Sequence, residues 1–146
     1  MLPKNVNKHY ESRGLLVLGY WLEARLADFI PDDYRIDSNV RLIPTPGHTP
    51  HHVSVVVESQ GKKAIISGDV LHHPCQIAYP DWITLADTYP DQTVETRKKF
   101  LSEIKDSGTL LIGSHFANPV AGYVITNKNK LEFNHNISHT PFSSLK

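Results

Sequence analysis

The sequence is poor in the residues that mark several classes of protein. A single cysteine, Cys75, stands among 146 residues, so no disulfide can form within the chain, and such usage is compatible with a reducing cytosol. Fifteen basic residues balance fifteen acidic ones, which leaves no excess positive charge to attract nucleic acid or an anionic membrane. We therefore expect a cytoplasmic protein that binds neither nucleic acid nor membrane.

The sequence also lacks a hydrophobic run long enough to cross a bilayer. The apolar run over residues 14–22 is shorter than the roughly 20 residues that a membrane-spanning helix needs, and Glu23 and Arg25 follow it closely. No small-residue cleavage site of a signal peptide accompanies it. The run therefore predicts a segment of a globular domain.

What remains is the composition of a globular protein, with 40% hydrophobic and 21% charged residues. A chain of this length buries about 70% of its unfolded surface, which is enough for one hydrophobic core. We expect a single domain over residues 1–146, ending in a frayed polar tail over residues 134–146.

Helical spacing of apolar residues predicts two helices. The first covers residues 10–30 and is stopped by Pro31, because proline cannot continue a helix. The second has Asp91 as its N-cap, runs to Asp106 and is closed by Gly108. The apolar stripe of the first helix comprises Leu15, Leu18, Leu22, Leu26 and Phe29 or Ile30.

Short apolar or β-branched runs, separated by turn residues, predict strands. Turns are expected at residues 59–61 and 127–130, each closing a β-hairpin. Residues 70–90 show no period, and their prolines indicate a loop. The predicted strands are residues 39–43, 52–58, 62–67, 109–112, 122–126 and 131–133.

Three of these runs are followed directly by a side chain that can bind a metal. The sequence Thr-Pro-Gly-His-Thr-Pro over residues 45–50 carries His48, Ser-Gly-Asp ends at Asp69, and Gly-Ser-His ends at His115. Neutral imidazoles and a carboxylate able to bridge two ions are the donors of a divalent-metal site. Six of the nine histidines lie between His48 and His115, which weakly favours the same chemistry.

Each of the three residues also has an ordinary structural explanation. His48 could be a turn histidine, Asp69 could cap the next turn, and His115 could be bonded to a backbone carbonyl. Taken singly, these explanations are at least as good as a metal site for the two histidines. The shared position of all three after apolar runs favours metal binding.

Further residues could orient the ligands or line a substrate pocket. A His-His-Pro-Cys sequence ends at Cys75 but lacks the paired Cys-x-x-Cys spacing of structural zinc, so Cys75 is better explained as a small buried residue. Aromatic residues as frequent as these also belong to hydrophobic cores. The candidates are His52, His72, His73, Tyr79 and Phe116.

With these three peptides in this order, residues 10–133 resemble the C-terminal half of a metallo-β-lactamase-fold hydrolase, closest to acyl-homoserine lactonases and methyl-parathion-hydrolase-like enzymes. The resemblance assigns a histidine ligand to His48, the bridging carboxylate to Asp69 and the final histidine ligand to His115. The family loop often has glycine where this chain has His51.

The resemblance implies an α/β (α+β) architecture, a mainly antiparallel sheet with flanking helices on one face. This would be half of a four-layer αββα sandwich. It also implies one or two divalent ions, zinc above all, and a metal-activated water that attacks a lactone, ester or phosphoryl centre of a small-molecule substrate.

The family's first metal motif, His-x-His-x-Asp-His, is absent from this sequence. Three ligands split between two metal positions make a poor catalytic centre, so a truncated hydrolase with little or no activity alone is the first hypothesis. The second is a binding or assembly module, or half of a split enzyme, that needs a complementary N-terminal half or self-association. The third, an active mononuclear hydrolase, is the least favoured.

Overall fold

The computed structural model describes residues 23–26 and 28–136, and the chain divides into two compact units, residues 1–31 and 32–146. In the first unit Glu23 is helical, but residues 28–30 have no regular structure. Most of the helix predicted over residues 10–30 lies outside the described residues. Its predicted end at Pro31 is wrong, because Arg25 has a φ of 56°, a left-handed conformation that ends a helix earlier.

The second unit is built on a mixed β-sheet. Every neighbouring pair of strands is antiparallel except β3 and β4, which are parallel. The prediction of a mainly antiparallel sheet is therefore confirmed. Within the described residues the sheet has six strands in sequence order: β1 (Val40–Pro44), β2 (Val53–Ser59), β3 (Lys62–Ile66), β4 (Leu110–Ile112), β5 (Ala121–Asn127) and β6 (Lys130–Asn134).

Both predicted hairpins are present, and their turns explain why. Gln60 and Gly61 join β2 to β3 with φ values of 50° and 72°, and Lys128 and Asn129 join β5 to β6 with 46° and 66°. Two central residues with positive φ match the right-handed twist of the flanking strands. The predicted frayed tail lies mostly outside the described residues, since only residues 134–136 of it are described.

The parallel pair requires a long crossover, which contains a 3₁₀ turn at Gly68–Val70 and two helices, α1 (Cys75–Ala78) and α2 (Pro90–Ile104). The prediction that Asp91 caps the second helix is wrong. Tyr89 occupies the cap position and Pro90 the first turn, where a fixed φ and a missing N–H cost nothing. No helix among the described residues has the length and apolar content needed to cross a membrane.

Alternation along the strands gives the sheet two different faces. Val56, Ile65, Leu111 and Val124 are buried in one hydrophobic core with the apolar side of α2. Their strand neighbours point to the opposite face and are half-buried. The core therefore lies between one face of the sheet and the crossover.

Candidate metal centre

Strand direction brings the three predicted ligands to one edge of the sheet. Because β1 and β3 are both antiparallel to β2, and β4 is parallel to β3, these three strands run the same way. The segments that follow them therefore emerge together, and Ser67 N donates to Ile112 O at 2.9 Å where β3 and β4 end.

The carboxylate of Asp69 lies between two imidazoles. His115 Nε2 donates to Asp69 Oδ1 at 2.6 Å, and His48 Nε2 lies 3.4 Å from Asp69 Oδ2. Burial acts to raise the pKa of Asp69, but the hydrogen bond from His115, together with the neighbouring histidines, outweighs it and holds the pKa below its usual value. The structure thus brings all three predicted residues together around one ionised carboxylate.

The loop that carries His48 is held by the start of α2. Gly47 has a φ of 136°, and a Cβ there would lie 2.5 Å from the backbone of Thr93. Tyr89 N donates to Gly47 O at 2.9 Å, and Thr96 Oγ1 donates to Pro46 O at 2.7 Å. Only glycine permits this close approach, which fixes the position of His48.

His48 is oriented by Asp87, a residue for which the sequence offered no signal. The side chain of Asp87 is fully buried; its Oδ1 lies 3.2 Å from His48 Nδ1, and its Oδ2 accepts from Thr84 N at 2.8 Å. In the tautomer with the proton on Nδ1, His48 donates to Asp87 and keeps a lone pair on Nε2, which is the form that can bind a metal through Nε2. Asp87 lies in the crossover, after no apolar strand and within no motif.

His52 holds the backbone of Asp69. Asp69 N donates to His52 Nε2 at 2.8 Å, and His52 Nδ1 donates to Thr45 O at 3.0 Å. Burial is the main cause that lowers the pKa of His52, so the ring is kept neutral and can act as donor and acceptor at once. Gly68 makes room for this ring, because a Cβ there would lie 2.6 Å from His52 Nε2.

His72 lies beside both His48 and His115. Its ring centroid lies 5.1 Å from that of His48 and 5.1 Å from that of His115, on which it stacks at 18°. Burial is the first cause that lowers the pKa of His72, so this ring is also kept neutral. The adjacent His73 is exposed, and its Nδ1 accepts from Cys75 N at 3.1 Å.

The remaining candidates, Phe116 and Tyr79, each pack against another aromatic ring. Phe116 is 5% exposed and packs in the core, edge-on to Phe133 with centroids 5.2 Å apart. Tyr79 is exposed and stacks on Trp82 at 4.8 Å.

The donor geometry fits a divalent ion. Ligand atoms of Asp69, His72 and His115 all lie within 4.8 Å of one another, and so do those of His48, His72 and Asp87. Tetrahedral zinc with bonds of about 2.0–2.1 Å places its ligands about 3.3 Å apart. The 3.4 Å between His48 and Asp69 matches this spacing, and the shorter contact with His115 has to open slightly.

Solved structures with similar folds include a dizinc lactonase and two hydrolases. AidC, a dizinc quorum-quenching lactonase, matches with a TM-score of 0.72 at 24% identity, over 87% of this chain and 44% of its own. The hydrolase AbOPH of the beta-lactamase superfamily matches with 0.64 at 25%, over 81% of this chain and 40% of its own. A probable metal-dependent hydrolase from Staphylococcus aureus matches with 0.66 at 19%, over 77% and 41%.

The chain thus spans less than half the length of these relatives. No curated protein matches its sequence. The family model of the metallo-beta-lactamase superfamily matches residues 7–115, which include His48, Asp69 and His115. This chain belongs to the metallo-beta-lactamase superfamily.

Proposed function

We propose that this chain contributes to a metal-dependent hydrolytic site for a lactone or ester, with His48, Asp69 and His115 as metal ligands. The observation that carries the proposal is the Asp69 carboxylate lying between two imidazoles, 2.6 Å from His115 and 3.4 Å from His48. Imidazole nitrogens and a carboxylate suit zinc, and the dizinc centre of AidC supports the same ion.

Each neighbouring residue has a defined task in this site. Asp87 keeps the proton of His48 on Nδ1, so Nε2 is free to bind. His52 keeps the backbone of Asp69 in place through a 2.8 Å hydrogen bond. A divalent ion held here supplies Lewis-acid polarisation of the substrate oxygen and lowers the pKa of water.

The substrate class follows from the neighbours. AidC is a lactonase, and another similar structure is an N-acyl homoserine lactone hydrolase that matches with a TM-score of 0.54. We accordingly propose a small molecule with a lactone or related ester bond. A cytoplasmic location remains part of the proposal, supported by the single cysteine.

This chain by itself is proposed to be weakly active or inactive. It contains no His-x-His-x-Asp-His sequence and spans 44% of AidC. The proposed ligands are fewer than the coordination shells of two metal ions require. Full activity would then need donors from elsewhere, on a complementary N-terminal half.

The second face of the sheet favours an assembly role alongside this one. Two rows of in-register apolar residues cross it, and all of them are only half-buried. A continuous apolar surface of this kind favours association with a complementary half or a second copy. The rows are Val40, Val57, Ala64, Leu110 and Tyr123, and Leu42, Val55, Ile66, Ile112 and Ala121.

Metal titration and hydrolysis assays test the proposal together. We expect calorimetry to show zinc binding that His48→Ala abolishes and that His51→Ala, at an exposed position in the same loop, leaves intact. Lactones, esters and phosphotriesters should turn over at background rates until a second chain carrying His-x-His-x-Asp-His is added.

Two results would contradict it. Absence of zinc, manganese or cobalt binding would remove the metal site. Tight binding of two ions with robust turnover by this chain alone would overturn the proposed inactivity. For the assembly role, sedimentation that shows a monomer without any dye-binding apolar surface is the contrary outcome.

A further inference from the structure

We infer that His72 is a further metal ligand, so that the crossover adds a fourth donor to His48, Asp69 and His115. This inference rests on the metal site proposed above. With Asp69 and His115 it forms a group of three mutually close donors, two imidazole nitrogens and one carboxylate oxygen, of the kinds that zinc accepts.

The first argument is a buried nitrogen without a partner. His72 Nδ1 is inaccessible to solvent and makes no hydrogen bond to any described residue. Buried polar atoms in native proteins are almost always paired, so an orphaned one requires an explanation. A metal ion would provide the missing interaction for the His72 ring.

The second argument is the location of the ring. One ring nitrogen of His72 lies within 4.8 Å of the ligand atoms of Asp69 and His115, and one lies as close to those of His48 and Asp87. His72 is thus a member of both donor groups.

The third argument is that the backbone of His72 is held in place. Its N–H donates to Gln76 Oε1 at 2.7 Å, and Gln76 is itself buried and donates through Nε2 to Trp82 O at 2.9 Å. On its N-terminal side, Leu71 is fully buried. A preorganised donor loses little entropy when it binds an ion, which is what a ligand position requires.

The alternative is that His72 serves only as a flat ring stacked on His115. Phenylalanine separates the two roles, because it keeps the ring and the stacking but has no nitrogen donor. The adjacent His73 offers a matched control, since it is exposed and its ring lies in neither donor group.

The experiment compares the unaltered chain with His72→Phe and His73→Phe, using Co²⁺ and Zn²⁺ as probes. Removing residues that merely support ligands costs about 10–100-fold in metal affinity, so loss of a direct ligand should weaken Co²⁺ binding at least about 100-fold. His73→Phe should change it less than about threefold. The visible absorption of bound Co²⁺ should also change in His72→Phe, since that spectrum reports the number and geometry of ligands.

A readout on the unaltered chain covers the case in which His72→Phe does not fold. Addition of Zn²⁺ should shift the side-chain ¹⁵N resonances of His72 and leave those of His73 unchanged. Zinc binding with unshifted His72 resonances, or equal Co²⁺ affinity in a folded His72→Phe, would overturn the inference while the proposed function stands. Failure of the unaltered chain to bind either ion would overturn the proposed function and this inference with it.

Discussion

The side chains at the candidate site come from two regions that are held in different ways. His48, Asp69 and His115 follow strands, and the hydrogen bonds of the sheet place the points from which they emerge. His72 and Asp87 lie further along the crossover, beyond the 3₁₀ turn that holds Asp69, where no strand end positions them. The same site therefore has one half built on regular structure and one half built on individual side-chain contacts.

Arg97 on α2 is the residue that organises the crossover. It is wholly buried, and its guanidinium donates to Val70 O at 2.8 Å, Pro80 O at 2.9 Å and Trp82 O at 2.6 Å. Burial lowers the pKa of Arg97 from its usual value, although an arginine remains protonated. This one guanidinium thus connects separate turns of the crossover, as hydrogen bonds between strands connect the sheet.

The largest effect is expected from Arg97→Met, which removes those three hydrogen bonds while keeping an apolar stem. Hydrogen bonds to charged groups contribute about 1.5–3 kcal/mol each, so the free energy of unfolding should fall by more than about 3 kcal/mol in chemical denaturation. Arg41→Met is the control, because Arg41 makes only a surface ion pair with Glu58, worth about 0–1 kcal/mol. Equal stability of the two variants would show that the crossover does not depend on Arg97.

Asp69→Asn should have the next largest effect. It keeps the size of the side chain but removes the charge that faces His48 and His115. We expect zinc affinity, measured by competition with a chromogenic chelator, to fall more than about 100-fold, beyond what supporting residues are worth. Asp81→Asn, at an exposed position paired with Lys98, should leave the affinity unchanged. Similar affinities for both variants would mean that the strand-end group does not hold the ion.

Asp87→Asn tests a residue of the crossover, for comparison with Asp69, which follows a strand. An amide has one acceptor oxygen, so it cannot serve both His48 Nδ1 and Thr84 N as the carboxylate does. Replacing a residue that acts through His48 should lower the zinc affinity about 10–100-fold. Asp91, an exposed residue in the first turn of α2, provides the control variant Asp91→Asn. A loss as large as that of Asp69→Asn would instead make Asp87 a ligand.

The smallest expected effect is a pH dependence of stability without added metal. Burial is the first cause that lowers the pKa of both His52 and His72 below 6.5, so between the lowered pKa values and 6.5 the unfolded chain binds more protons than the folded one. This contribution to stability is complete above pH 6.5 and is lost as the pH falls below it. The melting temperature should decrease from pH 7.5 to pH 5.5, and a histidine NMR titration should assign the two groups. A higher melting temperature at pH 5.5 would contradict the assignment.

Much of the fold was predictable because its determinants are local. Alternating apolar residues and turns such as Gln60-Gly61 predicted the strands and both hairpins, which the pairing confirms. The helix boundaries were predicted less well. The end of the first helix near Arg25 and the start of α2 at Pro90 depend on local backbone conformation, which the spacing of apolar residues does not report.

The sequence by itself determined which strands form and which donors follow them, because an apolar run and the residue after it are neighbours in the chain. It singled out His48, Asp69 and His115 for this reason, and their roles as ligands stay a prediction. Only the tertiary structure distinguished His72 from His73, joined His52 to the backbone of Asp69, and placed Asp87 against His48. Those contacts connect residues far apart in sequence through a crossover without periodicity, whose path depends on a buried arginine rather than on any repeated pattern.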